Sequence, residues 1–209
     1  MYIPKHFEEK DKKKLVEFMK EYNFATLVNS AKKRYWATHL PFLIFEEGDA
    51  LILRAHMAKA NPQWSSFKKD EEVLIIFREP HSYISPSLYE NKVSVPTWNY
   101  IAVHAYGVPE ILPAVEQRIN LLQETFKVFE AGYKQQWDTF PEDYKNDLLS
   151  GIVAFKIKVT NLEGKFKLSQ NRTEGDRERI IESLAKKEDK TKSEIAKYMN
   201  NNNKARSKS

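Results

Sequence analysis

The amino-acid sequence predicts an α+β fold, a small antiparallel β-barrel with α-helices packed on its outside. Three observations support this prediction. Strand-like patterns dominate residues 24–110, short polar turns join the successive strands, and strands do not alternate regularly with helices. Sequential strands of this kind pair antiparallel and close on themselves, so the helices are left to cover the outer surface.

The N-terminal third of the chain begins with a helix and continues as a run of strands. Apolar residues spaced i, i+3, i+4 and i+7 predict a helix over residues 8–22; they are Leu15, Phe18, Met19 and Tyr22. Strands are predicted over 24–29, 35–45 and 51–54. The turn signals between them favour a meander of antiparallel strands.

The middle of the chain alternates short elements. Asn61 can cap a helix and Pro62 suits its first position, so we expect a short helix over 62–69. The apolar run 73–77 predicts a central strand. Residues 79–89 contain two prolines, three serines and two tyrosines, which is typical of an aromatic loop, and a strand follows over 97–110.

The C-terminal half is predicted to contain one long helix, two strands and terminal helices. A helix begins at Pro113 and carries an apolar stripe, whereas 133–150 resembles a loop with a short helical turn. Strand 152–159 is expected to turn back through 161–164 into 165–168. Thr173 is expected to cap a helix over 174–187. A short helix over 192–199 and a disordered end over 200–209 complete the prediction.

Composition limits the possible function classes. Of the 209 residues, 41% are hydrophobic and 12% aromatic, which is typical of a globular protein with a sizeable core. The chain has no cysteine, which excludes disulfides, zinc fingers, thiolate nucleophiles and thiolate-bound iron–sulfur clusters. Apolar runs are far shorter than the about 18 residues of a membrane span. No signal peptide is visible either, so we expect a cytoplasmic protein.

Charge is distributed unevenly along the sequence. The net charge is +5, and much of it lies in the last 25 residues, while the body is close to neutral. A basic end is typical of a solvated segment and is also compatible with nucleic-acid binding. A helix-turn-helix motif is not predicted, because the expected helix over 192–199 is short and lacks a second helix.

The segment Val95–Gly107 combines an aromatic ring, an amide and an imidazole within seven positions, at Trp98, Asn99 and His104. Apolar faces with a few placed hydrogen-bonding groups are typical of a pocket that accepts a flat polar ring. The same residues also fit a buried strand whose polar side chains find internal partners. The segment alone does not decide between these two interpretations.

Standard metal, nucleophile and phosphate-loop motifs are missing from the sequence. No two of the five histidines are spaced i, i+4, so we predict no metal site, although barrel strands could bring His39, His56 and His104 together. No Gly-x-Ser-x-Gly elbow is present, and the six glycines form neither a P-loop nor a dinucleotide fingerprint. We therefore predict no catalytic residue.

Two basic clusters could hold a phosphate group. His56, Lys59 and Asn61 lie between a strand and the start of a helix, where helix N–H groups and a lysine favour an anion. Lys167 and Arg172 form a second pair late in the chain. Either cluster also fits an ordinary solvated surface.

Seven motifs occur in a fixed order along the chain. They are Met1-Tyr-Ile-Pro-x-His-Phe7, His39-Leu-Pro-Phe42, His56-x-Ala-x-Ala-Asn-Pro-Gln-Trp64, Tyr83-Ile-Ser-Pro-Ser87, Val95-Pro-Thr-Trp-Asn-Tyr100, Val103-His-Ala-x-Gly107 and Lys167-Leu-Ser-Gln-Asn-Arg172. Together they resemble the PaiB-like, FMN-binding negative transcriptional regulator family, from residue 1 to about residue 187.

The resemblance implies a split β-barrel of the pyridoxamine-phosphate-oxidase kind, a homodimer with the flavin at its interface. It implies Lys59 as a phosphate contact, Trp98 along the isoalloxazine and Arg172 as a contact across the dimer. The implied FMN contacts are Thr38, His39, His56, Lys59, Asn61, Thr97, Trp98, Asn99, Gln170 and Arg172. The implied division of the chain is a barrel over 1–170, a helical extension over 171–199 and a disordered basic tail over 200–209.

Three positions depart from the family pattern. Ala55 and Glu79 stand where the family commonly has glycine, and Leu88 stands where it commonly has tryptophan. A lost glycine removes close backbone approach and adds bulk, and Glu79 adds negative charge near the place where an anionic cofactor is expected.

The resemblance implies a transcriptional repressor that binds FMN and contacts DNA, with the basic C-terminus as the expected DNA contact. One alternative is a flavin-dependent oxidoreductase, in which the cofactor carries the redox chemistry and His56 or His104 serves as acid or base. Another is a ligand-free dimeric interaction module. Haem is a remoter alternative ligand, with His39, His56 or His104 as its axial residue.

Overall fold

The computed structural model describes residues 1–206, which form eight strands and six α-helices. The strands are β1 (Glu8–Glu9), β2 (Phe24–Ala31), β3 (Arg34–Pro41), β4 (Leu43–Glu47), β5 (Ala50–Ala58), β6 (Val73–Ile84), β7 (Thr97–Leu112) and β8 (Ile152–Lys167). The helices are α1 (Lys12–Glu21), α2 (Val115–Phe129), α3 (Tyr133–Asp138), α4 (Glu142–Ser150), α5 (Glu174–Ala185) and α6 (Lys190–Arg206). Short 3-10 helices cover Lys5–Phe7, Pro62–Ser66 and Pro86–Leu88.

All eight strands belong to one sheet. Its order is β3-β2-β6-β7-β8-β5-β4, and β1 pairs with β8 beside this path. The β2–β3 hairpin is antiparallel and pairs Phe24 with Pro41 at one end and Ala31 with Arg34 at the other. The pairing of β5 with β8 is also antiparallel. The predicted antiparallel pairing of sequential strands is therefore confirmed for β2 with β3, and also for β4 with β5.

The chain divides into two compact units, each assembled from segments that are distant in sequence. The terminal unit comprises residues 1–15, 78–103 and the described chain from residue 163 onward; the central unit comprises 16–77 and 104–162. Strands β6, β7 and β8 each contribute residues to both units. The predicted boundary at residue 170 stays a prediction about which part of the chain folds independently.

The core of the central unit is built from aromatic and branched side chains. The ring of Phe42 lies 6.0 Å from that of Phe77 and 6.4 Å from that of Phe155, and all three are fully buried. Gly107 on β7 is required by close packing, because a Cβ there would lie 2.4 Å from the carbonyl oxygen of Lys158 on β8. A second apolar cluster joins Leu43, Leu112, Leu121 and Ala154.

The terminal unit combines strand segments with helices α5 and α6. Its buried residues include Tyr89, Ile101, Ile180, Leu184, Ile195 and Met199. Thr173 caps α5, because its Oγ1 accepts a hydrogen bond from the backbone N–H of Asp176 at 3.2 Å. The predicted helix start after Thr173 is thus confirmed.

Two expectations for the strands are wrong. Strand β8 continues unbroken to Lys167 and does not turn back at 161–164, because the short strand β1 pairs with it, with Glu9 opposite Gly164. Residues 79–84 extend β6 and are not part of a loop. The turn signals near Gly164 were overridden by a distant segment of chain that supplies backbone partners.

Helices also extend further than expected. Residues 133–150 form α3 and α4, stabilised where the Trp137 ring packs 5.5 Å from that of Phe126 and 5.9 Å from that of Phe140. The segment 200–206 continues α6, and the side-chain oxygen of Asn203 accepts a hydrogen bond from Arg177 at 2.8 Å. The predicted helix 62–69 is a shorter 3-10 helix. Residues 207–209 of the predicted disordered tail lie outside the described residues.

A buried carboxylate ties the loop before β7 to helix α5 within the terminal unit. Asp176 accepts a 2.8 Å hydrogen bond from the backbone N–H of Glu90 and another from Arg179. The N–H of Glu90 lowers the pKa of Asp176 most, and Arg179 lowers it further. Arg179 also donates to the carbonyl oxygen of Leu88 at 2.9 Å, so one ion pair holds both chain segments.

Replacing Asp176 with asparagine should destabilise the protein in a pH-dependent way. The folded pKa is lowered, so the carboxylate contributes stability above its unfolded pKa of about 4 and loses it as pH falls through the lower folded value. We expect Asp176→Asn to cost about 2 kcal/mol of unfolding free energy at pH 7, and a smaller difference from wild type below about pH 4.

Urea denaturation at several pH values measures this effect. The control is Glu178→Gln, which removes an exposed carboxylate from the same helix. The same loss of stability for Asp176→Asn at pH 3 and pH 7 would contradict the assignment.

Candidate functional site

The sequence-predicted site residues fall into two sets, one in each unit. The central unit holds Thr38, His39, His56, Lys59 and Asn61. The terminal unit holds Thr97, Trp98, Asn99, Gln170 and Arg172. Each set has its own network of contacts.

The central set is organised by Gln63, a residue that was not among those predicted. Its amide is completely buried and donates to the carbonyl oxygen of Leu27 at 3.2 Å and to the side chain of Asn29 at 3.1 Å. The hydroxyl of Thr38 donates to the Gln63 amide oxygen and accepts from Asn61 at 2.9 Å. Thr38 and Asn61 are therefore held in place by one buried amide.

Asn61 also begins the 3-10 helix Pro62–Ser66. Its side-chain oxygen accepts a hydrogen bond from the backbone N–H of Gln63 at 3.0 Å, which confirms the predicted cap. Lys59 is exposed, and its backbone is fixed at both ends: its N–H donates to Gly151 at 2.8 Å and its carbonyl oxygen accepts from the Trp64 indole at 2.9 Å. A rigid backbone with an exposed ammonium suits a contact with an anion.

The two histidines of the central set differ in environment. His39 is exposed on β3, and its Nδ1 lies 2.9 Å from the hydroxyl of Thr26, its partner on β2. His56 is half-buried on β5, and burial lowers its pKa. His56 is therefore neutral at pH 7, and a neutral imidazole can both donate and accept a hydrogen bond.

An exposed aromatic surface dominates the terminal set. The Trp98 side chain is 51% exposed, and its ring lies 5.4 Å from that of His81 and 6.1 Å from that of Tyr83. Sequence reasoning assigned His81 and Tyr83 to a loop. Their alternate positions along β6 are the signal that could have placed them side by side. Flat rings of this kind offer a stacking surface to a ligand ring.

Asn99 has an internal role. It is completely buried, its amide nitrogen donates to Ser169 at 2.9 Å, and its amide oxygen accepts from the Ser169 hydroxyl at 3.1 Å. The same amide lies 3.4 Å from the sulfur of Met199 on α6. These contacts fix the backbone next to Trp98, so the contribution of Asn99 to a ligand site would be to position that indole.

The remaining terminal residues form a polar turn and a group of cations. The amide oxygen of Gln170 accepts from the backbone N–H of Leu168 at 2.7 Å, which closes the turn after β8. The Lys167 ammonium donates to the hydroxyl of Thr97 and to the carbonyl oxygen of Trp98. The Arg172 guanidinium lies 4.0 Å above the ring of Tyr89.

The donor set of the terminal unit suits a flavin. A half-exposed indole with neighbouring rings fits an aromatic ring system, and the cations Lys167 and Arg172 fit a phosphate. In the central unit Thr38, His39 and Lys59 supply hydroxyl, imidazole and ammonium groups of the kind that bind ribityl and phosphate oxygens.

Residues 1–206 contain no group of three or more histidine, aspartate or glutamate side chains placed to hold a metal ion. Within the same range, no helix has both the length and the apolar character that a membrane crossing requires.

Comparisons with known proteins relate the chain to flavin-binding proteins. A family model described as "Putative FMN-binding domain" matches residues 1–161. "Protease synthase and sporulation protein PAI 2" of Bacillus subtilis (strain 168) is 37% identical over 204 residues, which cover 95% of this chain and 96% of the relative. Uncharacterized protein AN0679 of Emericella nidulans is 31% identical over 69% of this chain and 73% of its own length.

Two solved structures share the fold at low sequence identity. The flavocytochrome Anf3 from Azotobacter vinelandii matches with a TM-score of 0.62 and 12% identity, over 79% of this chain and 72% of its own. The FAD and heme binding protein from Mycobacterium smegmatis matches with a TM-score of 0.58 and 13% identity, over 77% and 73% of the two chains. The predicted fold class, a split β-barrel with helices, is confirmed.

Proposed function

The chain belongs to this FMN-binding domain family, and from that membership we propose that it is a cytoplasmic split-barrel protein that binds FMN and acts as a negative transcriptional regulator. The resemblance inferred from the seven motifs is thereby confirmed. The observation that carries the proposal of FMN binding is the half-exposed indole of Trp98 beside the rings of His81 and Tyr83. The regulatory part rests on the name of the Bacillus subtilis relative and on the basic surface described below.

In this proposal the chain supplies the flavin contacts that the family resemblance implies. Trp98 lies along the isoalloxazine and Lys59 contacts the phosphate. The polar contacts come from Thr38, His39, His56, Asn61, Thr97, Asn99, Gln170 and Arg172. A bound flavin supplies hydride and electron transfer. The chain itself contributes stacking, charge neutralisation and a fixed backbone beside the ring.

Removal of the Trp98 indole should weaken flavin binding. Stacking of an aromatic pair contributes about 1.4 kcal/mol, which corresponds to about a tenfold change in Kd. We therefore expect Trp98→Ala to raise the Kd for FMN by about tenfold, measured by quenching of flavin fluorescence. Tyr144→Ala is the control, because Tyr144 is also 51% exposed but lies on α4. Equal quenching by wild type and Trp98→Ala would show that the ring binds elsewhere.

We propose a homodimer, as the family resemblance implies, and one sheet face of the central unit supports it. Phe24 is 66% exposed and Tyr35 is 81% exposed on the paired strands β2 and β3. Their side chains lie on one face, since alternate residues of β2 and their partners on β3 point the same way. Large exposed aromatic residues on one face are typical of an interface.

The oligomeric state provides a direct test of this part. We expect sedimentation velocity to give a mass of two 24.5 kDa chains for wild type. Tyr35→Glu should shift the protein toward the single-chain mass, because burial of an unpaired carboxylate at an interface is unfavourable. Val93→Glu, at an exposed residue of the terminal unit, is the control. A wild-type protein of single-chain mass at micromolar concentration contradicts the dimer.

Helix α6 supports the proposal of DNA binding. It spans 17 residues and is about two turns longer than the predicted helix over 192–199. It packs on α5, and its buried residues are Ile195, Ala196 and Met199. Lysines at intervals of seven are exposed on its other side: Lys190, Lys197 and Lys204. Such a basic face is suited to contact with the phosphates of DNA.

The lysines of α6 should determine the salt dependence of DNA binding. Each phosphate contact contributes about 0.9 to the slope of log K against log salt, so replacing Lys190, Lys197 and Lys204 with glutamine should reduce the slope by about 2.7. Fluorescence anisotropy with a labelled duplex measures it. The charge-matched control replaces Lys32, Lys33 and Lys69, which are exposed in the central unit. Equal slopes for both triple variants, or a wild type that binds no duplex at low salt, contradict this surface.

A further inference from the structure

Three cations lie close together in the terminal unit. Lys165 and Lys167 are two residues apart on β8, so their side chains leave the strand on the same face. Arg172 follows after the turn at Ser169. Electrostatic repulsion from both Lys165 and Arg172 acts on the Lys167 ammonium.

The groups that the two lysines contact directly are electrically neutral, and Glu8, which lies opposite Lys165 on β1, forms its ion pair with Lys10. Lys165 is buried, donates to the carbonyl oxygen of Tyr2 at 3.2 Å and lies 5.3 Å from the centre of the Tyr100 ring. Lys167 donates to a hydroxyl and a carbonyl and lies 5.5 Å from the ring of Phe7. Within residues 1–206, the ion pairs that the structure forms involve none of the three cations.

This arrangement is electrostatically unfavourable for the protein alone. Burial lowers the pKa of Lys167 most, and repulsion from Lys165 and then Arg172 lowers it further. Grouped positive charges that are partly removed from water create a strong local positive potential. An anion bound at this point would relieve the repulsion and accept charge-assisted hydrogen bonds.

The cation group adjoins the aromatic surface through the backbone. The carbonyl oxygen that Lys167 binds is that of Trp98, the residue whose half-exposed ring packs beside His81 and Tyr83. A stacking surface and a positive group are thus joined at one residue. The combination suits a ligand that has both a flat ring and an oxyanion.

We propose that Lys167, flanked by Lys165 and Arg172, forms an oxyanion-binding site for the phosphate or carboxylate of an aromatic ligand that stacks on Trp98. The proposal rests on the proposed flavin binding for its aromatic part only. The oxyanion has two possible sources: the phosphate of FMN itself, or the anionic group of a second ligand.

The test compares wild type with Lys167→Met using three probes. FMN and riboflavin share the same ring but only FMN carries a phosphate, and both are titrated by fluorescence quenching. Inorganic phosphate is titrated by its effect on the melting temperature. Lys158→Met is the matched control, because Lys158 is an exposed lysine on the same strand but in the central unit. Lys167→Arg keeps the charge, and circular dichroism verifies that each variant is folded.

Two outcomes support the site and distinguish the sources. If the oxyanion is the flavin phosphate, wild type binds FMN about tenfold more tightly than riboflavin or better, and Lys167→Met lowers this ratio with riboflavin binding unchanged. If it belongs to a second ligand, the ratio is the same in both proteins, but phosphate raises the melting temperature of wild type and not of Lys167→Met. Lys167→Arg and Lys158→Met should behave as wild type in either case.

Other outcomes overturn the site or separate it from the proposed function. Equal responses of wild type and Lys167→Met to all three probes, or no response of wild type to any, overturn it. Phosphate could stabilise wild type but not Lys167→Met while the protein binds neither FMN nor riboflavin. That result would support the oxyanion site and refute FMN binding.

Discussion

Buried side-chain amides need hydrogen-bond partners, and this requirement determines which chain segments are held together within each unit. In the central unit, Gln63 is completely buried, and each unsatisfied polar group would cost about 1–3 kcal/mol. Its partners come from β2, from β3 through Thr38, and from the cap residue Asn61. In the terminal unit, Asn99 has the same role toward Ser169 and α6. Satisfying one amide therefore fixes several segments at once, including residues predicted for the ligand site.

Local chemistry was readable from the sequence, and contacts between distant segments were not. The caps at Asn61 and Thr173 follow from residue type and spacing, and both are present. The continuity of β8 was missed because Gly164 acquires a partner from Glu9, more than 150 positions away. Helix α3 was missed because its Trp137 ring packs against Phe126 of the preceding helix α2, a tertiary contact that residue types do not show. Propensity alone contains no information about such partners.

The candidate site shows the same division. Trp98 entered the predicted site through the family resemblance, because its segment alone fitted both a ligand pocket and a buried strand. The internal role of Asn99 was not predicted, because it depends on Ser169 and Met199, which are 70 and 100 positions away. Lys165 and the rings of His81 and Tyr83 were missed as well. A lysine in a strand has no sequence feature that shows whether its ammonium is buried among rings.

The grouped positive charges of Lys165 and Lys167 on β8 are unfavourable for the stability of the folded protein. Glu8 lies opposite Lys165 on β1 but forms its ion pair with Lys10, and the ammonium groups of Lys165 and Lys167 contact carbonyls, a hydroxyl and ring faces. Those groups satisfy the N–H donors but leave the net charge uncompensated. Elsewhere in the same unit, the buried Asp176 is paired with Arg179, so the terminal unit does neutralise charge where only stability is involved. An uncompensated positive group next to an exposed indole is therefore better explained by an anionic ligand than by packing.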